Sequence, residues 1–381
     1  MQPTANRVQS IDILRGAVMI LMAIDHVRVY SGMPAGGPDP GIFFTRWITH
    51  FCVPVFVFFA GTGSFMYAQK LGNKRSLARY LFTRGILLVL LELTLVRFSW
   101  TFSMDYSQFV LAGVIWMLGW CMILFSIFVR LSTLAIGITG LAISFLQQVF
   151  QYFPKIFPGS MRDSVASVWS FIYPCGSEGI PVISILYHIV PWIGIMMAGY
   201  AFGTILLKET AVRKKICLLI GVSATVIFVI IACINVFSHT APADAPPALF
   251  RILNQQKYPA SQLYLLMTLG PVILLLPFAE RARGWFANVL GTFGRVPMFY
   301  YLMHIPLIHA AALLLNWLRY GNIHQEWYLT APYTQMPGEY KWGLGWLYLV
   351  FVIVVIILYF PCRWFAKYKS AHPEKKWLRY I

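Results

Sequence analysis

Long apolar runs separated by short polar connections recur from one end of this chain to the other. A helix needs about 20 predominantly apolar residues to cross a bilayer. By that measure the runs fall at roughly 9–30, 44–69, 80–101, 108–129, 131–150, 183–207, 214–237, 260–279, 295–318 and 342–364. The pattern predicts an all-α, polytopic membrane bundle of about ten transmembrane helices, forming a single domain over 1–381. No tandem repeat and no soluble domain is visible in it.

Basic residues then orient the bundle. The connections 70–79, 208–215 and 280–284 and the tail 363–381 hold most of the 30 Lys and Arg residues. If the N-terminus is cytoplasmic, all four fall on the cytoplasmic side, as the positive-inside rule requires. Both termini are therefore expected inside, and the first helix is expected to be retained rather than cleaved. The opposite connections, 31–43, 102–107, 151–182, 238–259 and 319–341, are longer and carry less positive charge. Loops of that length commonly bind or cover something.

Composition narrows the class further. With 59% hydrophobic and 11% charged residues, the chain has too little charge to cover a soluble domain of 381 residues. Its net charge of +17 sits in short connections on one side, which argues against a nucleic-acid partner. The six cysteines are scattered without metal-ligand spacing, so no metal is expected.

Candidate chemistry concentrates in the first span. Asp12, Arg15, Asp25, His26 and Arg28 all lie within it, and ionisable groups at membrane depth are costly and usually functional. Arg15 and His26 stand eleven positions apart, so they share one helical face about 16 Å apart along the axis. With the orientation above, His26, His50, His188, His304 and His309 fall at middle to outer depth, together with Asp25 and Glu92. The plainer reading is that such side chains bond helices to one another. The functional reading is that a neutral imidazole near a carboxylate serves as a general base around pH 7. Asp25 is adjacent to His26 in sequence but about 100° away on the helix, and Arg28 at i+3 is its alternative partner. In the inner half, Arg15 follows Asp12 at i+3 and Arg295 starts the ninth span after a Gly-containing turn. Together with Arg84 they offer cationic sites to a phosphorylated ligand.

The motif S-I-D-I-L-R-G (Ser10–Gly16), His26 beyond it, and F-C-V-P-V-F-V-F-F-A-G-T-G (Phe51–Gly63) resemble the family of heparan-α-glucosaminide N-acetyltransferase and its bacterial relatives, within the wider transmembrane acyltransferases. The segments GVIWMLGWCMILF, YHIVPWIGIMMAGYAFG, KYPASQLYLLMTLG and GRVPMFYYLMHIPLIH extend the likeness over nearly the whole chain. The resemblance implies transfer of an acetyl or other acyl group from cytosolic acetyl-CoA to an extracytoplasmic sugar amine or hydroxyl. The setting it implies is the cytoplasmic (inner) membrane of a bacterium.

On that likeness Asp12 and Arg15 are candidate donor contacts; the reading of charge and depth adds Arg295 and His304 to them, and makes His188, Glu92 and His309 the candidate acceptor contacts. His26, His50 and Asp25 are the candidate catalytic set, and the base is His26 or His50. The sequence departs from the lysosomal member of the family, which has an Asn at the His26 position and a proposed catalytic His in the next loop. Residues 31–44 contain no histidine, and His50 stands where that family has an Asp. Acyl-CoA, a sugar or glycan and membrane lipid are the expected partners, and self-association into a homo-oligomer is left open. A proton-coupled transporter is the alternative class, because Asp, Glu and His within spans also build proton relays.

Overall fold

The computed structural model describes residues 9–107, 109–176, 182–238, 240–242 and 244–380. Helices dominate, as the apolar runs require. The first half contains α1 (Gln9–Tyr30), α2 (Pro40–Trp47), α3 (Cys52–Leu71), α4 (Lys74–Leu91), α5 (Arg97–Thr101), α6 (Val114–Phe128), α7 (Thr133–Phe145) and α8 (Gly159–Trp169). The second contains α9 (Trp192–Leu206), α10 (Thr210–Phe237), α11 (Ala248–Leu253), α12 (Gln262–Ala279), α13 (Trp285–Arg295), α14 (Pro297–Tyr320) and α15 (Leu344–Ala371). The sheet among the described residues is a single parallel pair, β1 (Val110–Ala112) and β2 (Ile183–Ile185), with Leu111 opposite Ser184.

Among the described residues five helical segments are long and apolar enough to cross a membrane: Pro40–Leu71, Thr210–Phe237, Gln262–Ala279, Pro297–Tyr320 and Leu344–Ala371. Thr133–Phe145 with Gln147–Ile156 makes a sixth if that pair, bent by 76°, is one span. Helix α1 has 22 residues but too many charges to qualify on composition. The apolar helices α6 and α9 have 15 residues each, short of a full crossing.

Three expected boundaries move, each for a local reason. The run 183–207 opens as β2 and a turn, and its helix begins at Trp192, directly after Pro191, which has no N–H to continue an earlier turn. The run 108–129 likewise opens as β1. Arg295 does not start the ninth span but closes α13, an eleven-residue helix absent from the expected set. Pro297 then occupies the first turn of α14, where its missing N–H costs nothing.

Close helix contacts run through small residues, the usual solution where lipid supplies no hydrophobic drive. A Cβ on Gly16 of α1 would lie 1.8 Å from the carbonyl oxygen of Leu290 in α13. One on Gly294 would lie 1.8 Å from the carbonyl oxygen of Asp12. Gly61 of α3 and Gly199 of α9 bring those two helices together in the same way. The start of α1 is thus clamped on α13.

Hydrogen bonds tie the loops at each end of the bundle. At one end the Trp342 N–H donates to Ser31 O at 3.0 Å and Gln325 Nε2 to Thr101 O at 2.6 Å. Thr334 Oγ1 also reaches Val29 O there. In the same 321–343 connection a bond from His324 holds the exposed Glu326 carboxyl below its usual range. At the opposite end Arg213 bonds Glu280 at 2.8 Å, and Tyr80 and Arg84 bond the carbonyl of Arg379.

Candidate active site

Helices α1 and α14 meet at two imidazoles. His304 is fully buried, and its Nδ1 lies 2.7 Å from Tyr301 O and 3.1 Å from Tyr300 O. A carbonyl only accepts, so Nδ1 of His304 carries the proton and Nε2 presents a lone pair. His26 Nδ1 lies 2.7 Å from that Nε2 and must therefore be the donor. The network assigns the tautomers of both rings and leaves His26 with an unprotonated Nε2. Trp100 stands edge-on to His26 at 4.9 Å between ring centres, which fixes the imidazole from a second side.

His26 lines a cavity of about 470 Å³ bounded by the end of α1, the π-helical turn Glu92–Val96 after α4, and the loops around 33, 186, 257 and 333. Asp25, Arg28, Arg46, Glu92, Lys257 and Tyr301 line it as well. Asp25 accepts from Nε and Nη2 of Arg28 at 3.2 and 3.0 Å, while Nη1 reaches Met33 O at 3.0 Å. The i+3 pair is therefore formed, and it anchors the loop that follows α1. Among the described residues no hydrogen bond links Asp25 to His26.

Glu92 is buried and has a different task. Its Oε2 accepts from the backbone N–H groups of Ile115 and Trp116 at 3.1 and 3.3 Å. The carboxylate thereby satisfies amides that the first turn of α6 leaves open, where the helix dipole also favours a negative charge. Gly113 is needed beside it, since a Cβ there would lie 2.3 Å from Glu92 Oε1.

Among the described residues, the remaining histidines do not line this cavity. His50 Nδ1 bonds Trp47 O at 3.1 Å, its carbonyl accepts from Tyr264, and its Nε2 is buried without a partner among the described residues. His309 Nδ1 bonds Ser99 O at 3.2 Å, with its ring stacked on Phe102. His188 Nδ1 bonds Ser170 O at 2.6 Å and so fastens the segment after α8. On the inner half of α1, Arg15 Nη2 donates to Phe59 O of α3 at 3.2 Å, and Asp12 is buried against α13. Arg295, exposed at the end of α13, is held near that region by the Gly294 contact with Asp12. His304, expected among the donor contacts, is bonded to His26.

Sequence reasoning passed over Lys257, Arg46, Trp100 and Tyr301. A signal existed for Lys257, a cation in the basic-poor connection 238–259 and part of the segment KYPASQLYLLMTLG.

The family model described as heparan-alpha-glucosaminide N-acetyltransferase, catalytic, matches residues 7–242. The chain belongs to this family. No curated protein matches it. The heparan-α-glucosaminide N-acetyltransferase match contains Asp12, Arg15, Asp25, His26, His50, Glu92 and His188, whereas Lys257, Arg295, His304 and His309 lie beyond its end. Membership makes the chain a transmembrane acetyltransferase in general, of a type that uses acetyl-CoA as donor. Among the described residues no group of three His, Cys, Asp or Glu could hold a metal ion.

Proposed function

We propose that this chain moves an acetyl group from cytosolic acetyl-CoA to a sugar amine or hydroxyl on the outer side of a bacterial cytoplasmic membrane. The observation that supports it most is the His26–His304 pair at the cavity. The acceptor sits in the cavity with its N–H or O–H toward Nε2 of His26. As its nitrogen or oxygen attacks the thioester carbonyl, His26 removes the proton. The new C–N or C–O bond forms, the C–S bond breaks, and the CoA thiolate leaves and takes up a proton. The imidazolium is stabilised through Nδ1–H, which is already bonded to His304.

Between the two candidate bases, this reading takes His26. His50 has the same tautomer, but its Nε2 faces protein rather than the cavity. Asp25 keeps Arg28 and the adjoining loop in place and is a positioning residue. The donor is assigned to the other end of α1, where Arg15 and Asp12 lie on the face shared with His26. Burial of the reacting groups also limits hydrolysis of the thioester.

Purified protein in nanodiscs, given radiolabelled acetyl-CoA and a panel of amino sugars and glycans, should yield an acetylated sugar. It should not do so with His26→Ala, which should still bind CoA. Absence of both CoA binding and transfer in the wild type would refute the reading. Solute uptake without any acyl product would favour the proton-coupled transporter instead.

A further inference from the structure

We propose that an apolar groove on the flank of the bundle binds an anionic phospholipid, with one acyl chain in the groove and the phosphate at its basic end. A hollow of about 660 Å³ lies between α3, α7, α9, α10 and α12, and it shares no lining residue with the cavity at His26. Two close helix pairs form its walls. Gly137 and Gly140 seat α7 against α9, and Gly221 and Gly270 seat α10 against α12. Between the pairs, small side chains such as Ala201 and Ala224 leave the space unfilled.

The lining decides what fills it. Leucine and isoleucine side chains dominate, and the polar groups on the wall are engaged with protein. Ser144 Oγ donates to Gly140 O at 2.9 Å and Thr204 Oγ1 to Ala201 O at 2.8 Å. The Gln262 amide is bonded to Phe145 O and to Gln148. An ordered water needs two to four polar partners, so hydrocarbon suits this space and water does not. Both α10 and α12 are long and apolar enough to cross a membrane, which sets the hollow at the depth of lipid tails. From Thr133 to Phe145 it is about 18 Å long at the helical rise. One leaflet of hydrocarbon is roughly 15 Å deep, so a single acyl chain runs the length of the groove.

Charge at one end selects the head group. Thr133 and Thr204 line that end, and the exposed Arg130 and Lys208 lie beside them in the adjoining connections. Lys74 Nζ bonds the carbonyl oxygens of Arg130 and Leu131, which brings another cation to the same place. Lys214 and Lys215 follow in the first turns of α10. Of the acids nearby, Glu280 is bonded by Arg213, and Glu209 is exposed. The balance at the mouth is positive, and basic clusters between helices at a membrane face hold anionic head groups. A zwitterionic head would bring a cation of its own against these side chains.

The test is lipid binding to the full protein, measured without turnover. Protein stripped of lipid in mild detergent would be titrated with dioleoyl phosphatidylglycerol, dioleoyl phosphatidylcholine and glycerol 3-phosphate, and followed by native mass spectrometry and thermal unfolding. Phosphatidylglycerol should saturate at one molecule per chain, raise Tm and bind more tightly than phosphatidylcholine. Glycerol 3-phosphate, a head without chains, should leave Tm unchanged. Arg130→Gln and Lys208→Gln should each weaken phosphatidylglycerol by about fivefold and leave phosphatidylcholine as it was. Ala224→Phe fills the hollow and should abolish retention of both lipids. Ile138→Trp, at a rim position 60% exposed, carries that arm if Ala224→Phe does not fold. Equal binding of the two lipids, or binding unaltered by the filling variants, overturns the proposal. Glycerol 3-phosphate binding as tightly as phosphatidylglycerol overturns it too, by making the basic end a site for free phosphate. So does a dimer that Ala224→Phe converts to monomer with lipid retention intact, which would give the groove to a second copy of the chain.

Discussion

His26 Nδ1 lies 2.7 Å from His304 Nε2, and the second imidazole fixes what the first can do. Because Tyr300 and Tyr301 offer only carbonyls to His304, the proton order along the chain of bonds has one solution. His26 is left with a basic nitrogen at a cavity. A lone histidine would have been free to adopt the other tautomer.

That relationship separates two variants. His26→Ala should lower kcat by roughly 10²–10⁴-fold, the usual contribution of a general base. His304→Ala should lower it by about tenfold to a hundredfold, the loss of one hydrogen bond to a charged group. In both, CoA affinity should hold, since Arg15 and Asp12 are untouched. A single-turnover assay beside a CoA-binding measurement checks this. If His304→Ala weakened CoA binding and left the transfer step intact, His304 would belong to the donor site.

Asp25→Asn should act on stability before chemistry. It leaves the Arg28 guanidinium, only 10% exposed, next to a neutral amide. Removing one member of a fully buried pair costs about 3–5 kcal/mol. The Asp25 side chain is 20% exposed, so roughly 2–3 kcal/mol is expected, seen as a lower Tm. An unchanged Tm with a collapsed kcat would mean that Asp25 acts on the reaction itself.

Much of this architecture could be read from the sequence, because apolar run length is a direct consequence of bilayer thickness. The first helix, its Asp25–Arg28 pair and the broad helix order follow from apolar patterning and helical spacing. Residues 183–191 could not be read so. ISILYHIVP is apolar enough for a helix, and it becomes strand and turn through pairing with residues 110–112, a contact no local pattern encodes. Helix α13 escaped notice because eleven residues fall short of a span. The site suffered most. His26 and His304 are 278 positions apart, and their meeting depends on how α1 packs on α14. Five histidines at similar expected depth gave no means of telling which one borders a cavity.

Glu92 provides a test of a carboxylate with a structural duty. Glu92→Gln keeps an oxygen that can accept from Ile115 and Trp116, so the fold should lose little. Glu92→Ala leaves two buried amides without their acceptor, at about 1–3 kcal/mol for each unsatisfied group. Thermal unfolding followed by circular dichroism should therefore rank wild type close to Glu92→Gln and well above Glu92→Ala. If the Gln variant is stable yet inactive, the charge of Glu92 serves the cavity as well as the helix.

The clamp between α1 and α13 predicts a contrast between two glycines only a few residues from the same contact. Gly16→Ala would set a methyl group 1.8 Å from Leu290 O, a backbone atom that cannot rotate away. The helices must separate, at about 1–3 kcal/mol for an overpacked contact. Gly291→Ala meets nothing within 4 Å, and inside α13 it should gain about 0.5–1 kcal/mol from the better helix former. Separation of α1 also displaces Asp12 and Arg15, so Gly16→Ala should raise the KM for acetyl-CoA while the KM for the acceptor holds. Measured Tm values in the order Gly291→Ala, wild type, Gly16→Ala, with that split in KM, are the expected result. A Gly16→Ala protein as stable as wild type with an unaltered donor KM would show that α13 does not hold the start of α1 in its working position.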